Sequence, residues 1–361
     1  MPRLRIGLAG AGLIGATHSA ALREIASTWG DRLELTAVAD PDRSRREGFV
    51  EAFGWRRATA DAADVLGDVD ALFVCTPTRF HAALVCAAAA AGVHLFCEKP
   101  LGMSHAEAAG MADAVRRAGI RAQVGLVLRF SPVYAVMRQL VADAGEPMAV
   151  WFRDDQCFPI RGLHDTGWRK DRELSAGGTL IEHGVHDVDV LTWMFGPLAR
   201  VRAVEHNRAG HPGIEDYVAA DLAFASGLRG QLLNVWHDMA GRPSNRRLEV
   251  FCRRAFVASD HDMFGEVEWQ RGDDPLERLS ADDVVRRHAG TLARRDHTFE
   301  RWSGLPYFVQ VLAFVEALLE ERAPTPCLAD GVEAQRVVEA IYLAARTGSE
   351  VNIPIPDIGA G

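Results

Sequence analysis

The stretch RIGLAGAGLIGATHSAAL, residues 5–22, carries the strongest structural signal near the start of this chain. Alternating apolar residues before Gly10 predict a strand, and the residues after Gly15 have the apolar spacing of a helix. Three glycines between these two elements form the pattern GxGxxG. Gly10 allows the tight turn, Gly12 lets the backbone approach a pyrophosphate, and Gly15 lets the helix pack closely on the strand. This order of strand, glycine-rich turn and helix predicts a dinucleotide-binding unit.

The start of the predicted helix supplies the groups that would hold phosphate. The first backbone N–H groups of a helix have no partner inside the helix, and they face outward where an anion can bind. We therefore predict that Gly10, Gly12, Leu13, Ile14 and Gly15 bind the cofactor phosphates.

The second predicted strand, LELTAVAD, ends at Asp40. An acidic residue at this place accepts hydrogen bonds from the adenosine ribose hydroxyls and repels a 2′-phosphate, which favours NAD over NADP. Arg43, three residues later, could still pair with a 2′-phosphate, so NADP is not excluded. The alternative interpretation is that Asp40 only forms a turn before Pro41.

Two further predicted strands end in polar residues, in the stretches ALFVCTP and VHLFCEKP. In an open parallel sheet, ligands bind beyond the carboxyl ends of the strands. These ends therefore share one rim with the glycine-rich turn. The rim residues are Thr76, Pro77, Glu98, Lys99 and Pro100.

Lys99 stands out because almost all the positively charged side chains of this chain are arginines. Of 40 Lys and Arg residues, only Lys99 and Lys170 are lysine. A lysine can release its proton near neutral pH when its surroundings lower its pKa, and arginine effectively cannot. A titratable amine on this rim indicates proton transfer beside a nicotinamide. The alternative is chance in an arginine-rich composition.

A second informative stretch is GWRKDRELSAGGTLIEHGVHDVDVLTWMFGP, residues 167–197. Its apolar residues from Ile181 onward step by three and four, which predicts a helix ended by Gly196 and Pro197. Glu182 and His186 lie one turn apart on a neighbouring stripe of that helix. A carboxylate in this position can fix the tautomer of a histidine and raise its basicity, as it does for a general base.

Two other interpretations of this stretch remain open. Glu182 and His186 could be an ordinary i,i+4 surface pair. Together with His183 and Asp189 they could also be metal ligands. The close spacing of the two histidines and the lack of a further cluster with ligand spacing argue against a metal, and we predict none.

These motifs together resemble the Gfo/Idh/MocA oxidoreductases, NAD(P)-dependent enzymes that act mostly on sugars, polyols and their derivatives. The resemblance covers about the first 200 residues in the family's order and spacing. It rests on GLAGAGLIG with Asp40, TPxxxH ending at His81, EKP at 98–100, GxxxRFxP at 125–132, WRxDxxxSxGG at 168–178 and GGxLxxxGxHxxDxLxW at 177–193.

The resemblance implies an α/β protein with an N-terminal Rossmann domain and a C-terminal α/β domain built on a large, mainly antiparallel open sheet. We expect these domains over residues 1–122 and 123–361, with the boundary between 122 and 148. In the family the sheet commonly packs against another subunit, so a homodimer or homotetramer is expected.

The resemblance also implies site residues. Lys99 and His186 flank the reacting carbon as proton-relay residues, with Glu182 beside them. The expected cofactor-binding residues beyond the glycine-rich turn are Asp40, Arg43, Thr76, Pro77, His81, Glu98, Lys99, Trp168 and Arg169. The expected substrate-binding residues are Lys99, Arg129, Lys170, Glu182 and His186. For Trp168 a packing role, and for Lys170 a solvated loop charge, are the alternatives.

Three positions depart from the family pattern. Glu182 stands where the family usually has Asp, and Thr78 and Val127 stand where it often has Asn. These positions bear on the nicotinamide and substrate end of the site, so the sequence leaves the sugar or polyol, the oxidised carbon and the direction open.

Composition argues against some partners, and the motifs with the resemblance leave three functions open. A net charge of −9 argues against nucleic acid and anionic lipid as partners, and without a long apolar segment the chain is expected to be cytoplasmic. The first function is a sugar or polyol dehydrogenase, or the reverse reductase. The alternatives are an NAD-dependent glycoside hydrolase of the same family and a non-catalytic regulator that senses sugar or NAD.

Overall fold

The computed structural model describes residues 3–160, 166–292 and 296–355. They form two compact units. The described part of the first unit comprises residues 3–127, 173–176 and 296–332, and the second unit comprises the rest. The leading segment of the first unit ends at Val127. The later segments return to this unit because an apolar helix of residues 306–319 packs on its first helix.

The first unit is built on a six-stranded sheet of order β3-β2-β1-β4-β5-β6. All its strand pairs are parallel, and the strand order reverses between β1 and β4, as in doubly wound folds. The strands are β1 (Leu4–Ala9), β2 (Leu33–Ala39), β3 (Arg57–Thr59), β4 (Ala71–Val74), β5 (His94–Cys97) and β6 (Ala122–Val124).

Helices cover this sheet because its central strands are apolar on both faces. Phe73 of β4 and Phe96 of β5 stack at 4.8 Å between ring centroids, and Phe314 meets both rings edge-on. The helices of this unit are α1 (Leu13–Trp29), α2 (Arg43–Phe53), α3 (His81–Ala90), α4 (His105–Ala118), α9 (His297–Trp302) and α10 (Pro306–Leu319). The short helix α6 (Arg172–Ser175) spans a change of unit.

The second unit is built on a nine-stranded sheet of order β14-β13-β12-β11-β7-β10-β9-β8-β15. The pair β7–β10 is parallel and its neighbours are antiparallel, which confirms the predicted fold class. The strands are β7 (Pro147–Cys157), β8 (Leu198–His206), β9 (Tyr217–Phe224), β10 (Arg229–His237), β11 (Asn245–Cys252), β12 (Ala255–Asp260), β13 (Val267–Arg271), β14 (Glu277–Leu279) and β15 (Val351–Asn352).

Helices α5 (Pro132–Ala144) and α8 (Ala281–Thr291) pack together in this unit, and α5 also contacts β11, β12 and β13. Helix α11 (Leu328–Thr347) begins in the first unit and continues in the second. Within the three described ranges, no helix combines the length and the apolar character needed to span a membrane.

The helix predicted from Ile181 differs from the observed one at its start. A π-helical turn, Leu180–Gly184, precedes the regular helix α7, Val185–Phe195. The spacing of apolar residues does not reveal one wider turn, because the apolar residues still recur every three or four positions. The turn changes the angle around the helix axis between Glu182 and His186 from the one that an α-helix gives.

Candidate active site

The glycine-rich turn joins β1 to α1, and each glycine meets a different surrounding. Gly10 has a φ of +102°, and a Cβ there would lie 2.6 Å from the Cys75 carbonyl oxygen. A Cβ on Gly15 would lie 2.3 Å from the Gly10 carbonyl oxygen, whereas one on Gly12 would meet no atom within 4 Å. Gly12 also caps α1 without a side-chain hydrogen bond. The turn therefore leaves open space beside the first N–H groups of the helix, which suits a pyrophosphate.

Asp40 is tied to this turn. Its Oδ2 accepts a hydrogen bond from Ala11 N–H and its Oδ1 accepts one from Asp42 N–H, both at 2.8 Å. Arg43 pairs instead with Glu47 at 2.7 Å on the exposed face of α2. Arg46, which the sequence did not single out, donates to the carbonyl oxygens of Asp40 and Pro41. The carboxylate at 40 is thus held in place by backbone amides.

His81 bridges the two loops that follow β4 and β5. Its Nε2 lies 2.9 Å from the carbonyl oxygen of Thr76, which precedes Pro77, and its Nδ1 lies 2.9 Å from that of Pro100. Burial lowers the pKa of His81 although these carbonyls and the charge of Glu98 oppose the effect. A neutral ring has one N–H, so it donates to one loop at a time. The structure places this histidine between backbone segments, at an exposed fraction of 1%.

The EKP motif directly follows β5, on the rim that carries the glycine-rich turn. Glu98 is buried, and its Oε1 lies 2.7 Å from Nε2 of His18 on α1. Burial by itself raises the pKa of Glu98, but the hydrogen bond and charge of His18 outweigh it, and the pKa is lowered. Lys99 is half-buried. His18 was missed by the sequence interpretation, although it lies on the buried stripe of α1 with Gly15, Leu22 and Ile25.

In the second unit, Trp168, Arg169 and Lys170 lie on one short turn, Gly167–Lys170. The Arg169 guanidinium lies 4.7 Å from the centroid of the Trp168 ring. Its Nε lies 3.0 Å from Oε2 of Glu182, whose side chain is 1% exposed. Lys170 is exposed. The carboxylate predicted to orient His186 therefore has an arginine partner that the helical spacing did not predict.

Two further side chains of this helix segment are buried. His186 is 6% exposed. Asp189 binds the guanidinium of Arg129 through both carboxylate oxygens, at 2.9 Å to Nε and 2.6 Å to Nη2. A two-pronged pair of this kind fixes the plane of the guanidinium. Arg129, which was predicted to bind substrate, is thereby anchored to the helix that carries His186.

A buried glutamate holds the start of this segment. Glu215 accepts hydrogen bonds from Gly178 N–H at 2.8 Å, Leu180 N–H at 2.9 Å and the Tyr342 hydroxyl at 2.8 Å. A Cβ on Gly178 would lie 1.9 Å from the Glu215 carbonyl oxygen. Burial raises the pKa of Glu215 to about 7, although these donors act to lower it. No local pattern predicts this contact, since Glu215 lies 37 residues from Gly178.

A cluster of buried charges lies next to His186. Arg246 of β11 donates to Asp187 at 2.8 Å and to Asp154 at 3.2 Å, and it also pairs with Asp262. Asn234 donates to the second oxygen of Asp187 at 2.6 Å. Burial raises the pKa of Asp187 and Asp154, and the single guanidinium opposes it only in part. Within the described residues, no group of three or more His, Cys, Asp or Glu side chains is arranged to hold a metal ion.

Two family models match this chain. The model of the oxidoreductase family with an NAD-binding Rossmann fold matches residues 4–126, and the GFO/IDH/MocA C-terminal domain model matches residues 134–258. Together they cover more than half of the chain. The chain belongs to the Gfo/Idh/MocA oxidoreductase family, and the cofactor of its Rossmann unit is NAD.

Individual relatives are similar over most of their length. The chain is 29% identical to the inositol 2-dehydrogenase of Rhizobium meliloti (strain 1021) over 75% of this chain and 79% of that protein. It is 27% identical to the 1,5-anhydro-D-fructose reductase of Ensifer adhaerens over 95% and 98% of the two chains. The crystal structure of an oxidoreductase domain protein from Kribbella flavida is 27% identical, with a TM-score of 0.84 over 98% of this chain and 100% of that one.

Proposed function

We propose that this enzyme transfers a hydride between NAD and a secondary alcohol or ketone carbon of a sugar, polyol or sugar derivative. The named relatives, an inositol dehydrogenase and an anhydrosugar reductase, support the substrate class. One observation carries the reaction class: Lys99, one of two lysines in the chain, follows β5 on the ligand-binding rim of the parallel sheet.

The residues around the glycine-rich turn fit NAD. Gly12 leaves space at the uncapped start of α1, and a side chain there would occupy the path of a pyrophosphate. The Asp40 carboxylate can still accept hydrogen bonds from ribose hydroxyls, because each of its oxygens has a second lone pair. Its negative charge disfavours a 2′-phosphate, and Arg43 is engaged by Glu47. Bound NAD supplies the hydride acceptor of the reaction.

The chain itself must move the proton. When the hydride leaves an alcohol carbon, the hydroxyl proton needs an acceptor, and an amine or an imidazole can serve. We assign His186 as the nearer base and Lys99 as the residue that polarises the oxygen and relays the proton. Glu182 completes this set, with its charge balanced by Arg169. Because its carboxylate is paired with Arg169, we expect Glu182 to orient His186 and not to accept the substrate proton itself.

The test is formation of NADH, followed by absorbance, with NAD or NADP and a panel of inositols, sugars and sugar acids. Lys99→Met removes the amine, whereas Lys99→Arg keeps a positive charge that cannot be released near neutral pH. We expect both variants to lower kcat by about 10²–10⁴-fold while NADH affinity, measured by calorimetry, stays within twofold. Arg286→Met, on the exposed face of α8, is the control and retains wild-type kcat.

Other outcomes would redirect the assignment. Turnover by Lys99→Arg at the wild-type rate would mean that charge alone is needed at this position. Glycoside cleavage by the wild type without net NADH would favour the hydrolase. Silence toward every substrate, with NAD bound and a sugar altering the oligomer, would favour a regulator. Light scattering of the same samples tests the expected homodimer or homotetramer.

A further inference from the structure

A buried pair of ionisable side chains, His18 and Glu98, adjoins Lys99 in the first unit. His18 Nε2 lies 2.7 Å from Glu98 Oε1, and the exposed fractions are 0% and 6%. The other carboxylate oxygen, Oε2, accepts a hydrogen bond from the backbone N–H of Lys99 at 3.2 Å. Glu98 thus connects a fully buried residue of α1 to the backbone of Lys99.

The Glu98 carboxylate has little room to move. A Cβ added to Gly125 would lie 2.8 Å from Oε2 and 2.9 Å from Oε1, so the carboxylate lies against the bare backbone of this glycine. Gly125 is itself fixed, because its N–H donates to the Cys97 carbonyl oxygen at 2.8 Å. The carboxylate is therefore confined between His18, Gly125 and the Lys99 N–H.

Aromatic rings fix the orientation of His18. Its ring centroid lies 4.9 Å from that of Phe96, 5.6 Å from that of Phe73 and 6.3 Å from that of Tyr307. Among the described residues, Nδ1 of His18 has no hydrogen-bond partner. The side-chain hydrogen bond of His18 among the described residues is therefore the one with Glu98.

The pair keeps a negative charge inside an apolar region. Burial acts to raise the pKa of Glu98, but His18 together with the charge and backbone N–H of Lys99 lowers it. The charge reaches neighbouring groups. Burial raises the pKa of the Cys75 and Cys97 thiols, and the charge of Glu98 raises it further. The same charge favours the protonated form of His81.

We infer that His18 and Glu98 are positioning residues for Lys99. His18 keeps Glu98 ionised and in place, and Glu98 fixes the Lys99 backbone and holds a negative charge near its amine. The resemblance assigns Glu98 to cofactor binding, and this inference gives it a role at Lys99. The inference rests on the proposed function only where turnover is measured, since the titration of Lys99 can be observed directly.

The small number of lysines makes that measurement simple. Reductive methylation with ¹³C-formaldehyde labels Lys99, Lys170 and the α-amino group, and NMR follows each methyl signal against pH; Lys170→Arg assigns the signals. In Glu98→Gln the midpoint of the Lys99 signal should move to lower pH by about one unit, because an amine that loses a nearby carboxylate gives up its proton more easily. The signal of the exposed Lys170 should not move.

Variants of His18 test the same link from a residue further from the amine. His18→Leu leaves Glu98 buried without its donor, so that Glu98 takes up a proton and the Lys99 midpoint moves in the same direction. His18→Gln keeps an N–H donor and should restore most of the wild-type midpoint. These two variants decide the question if Glu98→Gln does not fold. If the pair is merely structural, these substitutions lower the melting temperature and leave the titration midpoint of Lys99 unchanged. That result overturns the inference.

Turnover gives a second readout once a substrate is known. In Glu98→Gln the acidic limb of the kcat profile should move to lower pH by about one unit. The plateau should fall by roughly tenfold or more because Lys99 is less firmly held. The NADH dissociation constant should stay within twofold. A large rise in that constant with an unmoved kcat profile would return Glu98 to the cofactor site. If the wild type turns over nothing, the proposed function fails, and the NMR titration still decides this inference.

Discussion

Two segments, one in each unit, shift the pKa of their buried carboxyls in opposite directions. After β5, one buried acid meets one buried base, since Glu98 pairs with His18. Next to His186, the guanidinium of Arg246 meets the three carboxylates of Asp154, Asp187 and Asp262. In the first segment the pKa of Glu98 is lowered although burial acts to raise it, whereas in the second burial raises the pKa of Asp154 and Asp187 against the opposing charge of Arg246.

The difference follows from where the partners of the buried polar groups lie in each unit. In the first unit, polar groups at the site are satisfied by loops at the ends of adjacent parallel strands, as Asp40 is by Ala11 N–H. In the second, Asp187 finds its partners only when its helix meets two strands, because Asn234 lies on β10 and Arg246 on β11. The second unit therefore depends more strongly on single long-range side chains, and the following substitutions test that dependence.

The largest expected effect comes from Arg246→Met. Removal of this side chain leaves three carboxylates without their shared cation, and breaking a buried charge cluster in this way costs about 3–5 kcal/mol of unfolding free energy. Chemical denaturation at pH 7 measures the loss. The loss should shrink as the pH falls, because protonated carboxyls need no counter-charge.

Arg242→Met is the matched control for that prediction. Arg242 pairs with Asp155, but its side chain is 43% exposed, so water replaces the lost partner. We expect it to cost only a small fraction of the effect at Arg246. Equal losses from the two variants would show that the buried cluster has no special weight, and the comparison between the units would then fail.

The next effect concerns the first unit, in which a change at the site should spare the fold. Gly12→Ala adds a Cβ where no protein atom lies within 4 Å, so the melting temperature should stay within about one degree. The methyl group occupies the approach of the pyrophosphate, and NADH affinity should fall by about 10–100-fold, or roughly 1.4–2.8 kcal/mol. Calorimetric titration with NADH and a thermal melt separate the two effects.

Gly15→Ala serves as the contrasting variant. Its Cβ would lie 2.3 Å from the Gly10 carbonyl oxygen, so helix and strand must separate and the protein should lose stability before cofactor is added. If Gly12→Ala melts as low as Gly15→Ala, the open space beside Gly12 is needed for folding, and its assignment to the cofactor is wrong.

The sequence predicted the first unit more fully than the second for a physical reason. GxGxxG and the strand ends that carry Asp40 and Lys99 are local patterns, and parallel topology gathers strand ends on one rim without further information. His18 was visible as a polar residue on a buried helix stripe, but its partner Glu98 lies 80 residues away. The family and the fold class were both predicted and are confirmed.

In the second unit, local patterns located the helix but did not reveal the side chains that pair with its buried acids. Spacing located Glu182 and His186 and missed the π-helical turn. It did not reveal that Arg169 pairs with Glu182, or that Asn234 and Arg246 hold Asp187, because these partners come from separate elements. Side-chain contacts across a large antiparallel sheet depend on register, which periodicity alone does not fix.

A further effect is expected at Glu215, and it is a dependence on pH. The pKa of this carboxyl rises from 4.5 to about 7 on folding because it is buried. Between these values the folded chain holds a proton that the unfolded chain has released, so this group stabilises the protein most below pH 4.5. That contribution is lost as the pH rises through 7. The free energy of unfolding changes through this group by at most about 1.4 kcal/mol per pH unit.

Glu215→Gln should remove this slope, and the difference between its unfolding free energy and that of the wild type, measured from pH 4.5 to 8, isolates the contribution. The amide also presents an NH₂ group to Gly178 N–H or Leu180 N–H, which leaves one buried donor unsatisfied and costs about 1–3 kcal/mol at every pH. Tyr342→Phe is the control: it removes one donor and keeps the carboxyl, so the slope should persist. A wild-type slope no different from that of Glu215→Gln would mean that the three donors hold Glu215 ionised throughout. The second unit would then carry one buried acid fewer in its neutral form, which weakens the contrast with Glu98, whose pKa is lowered.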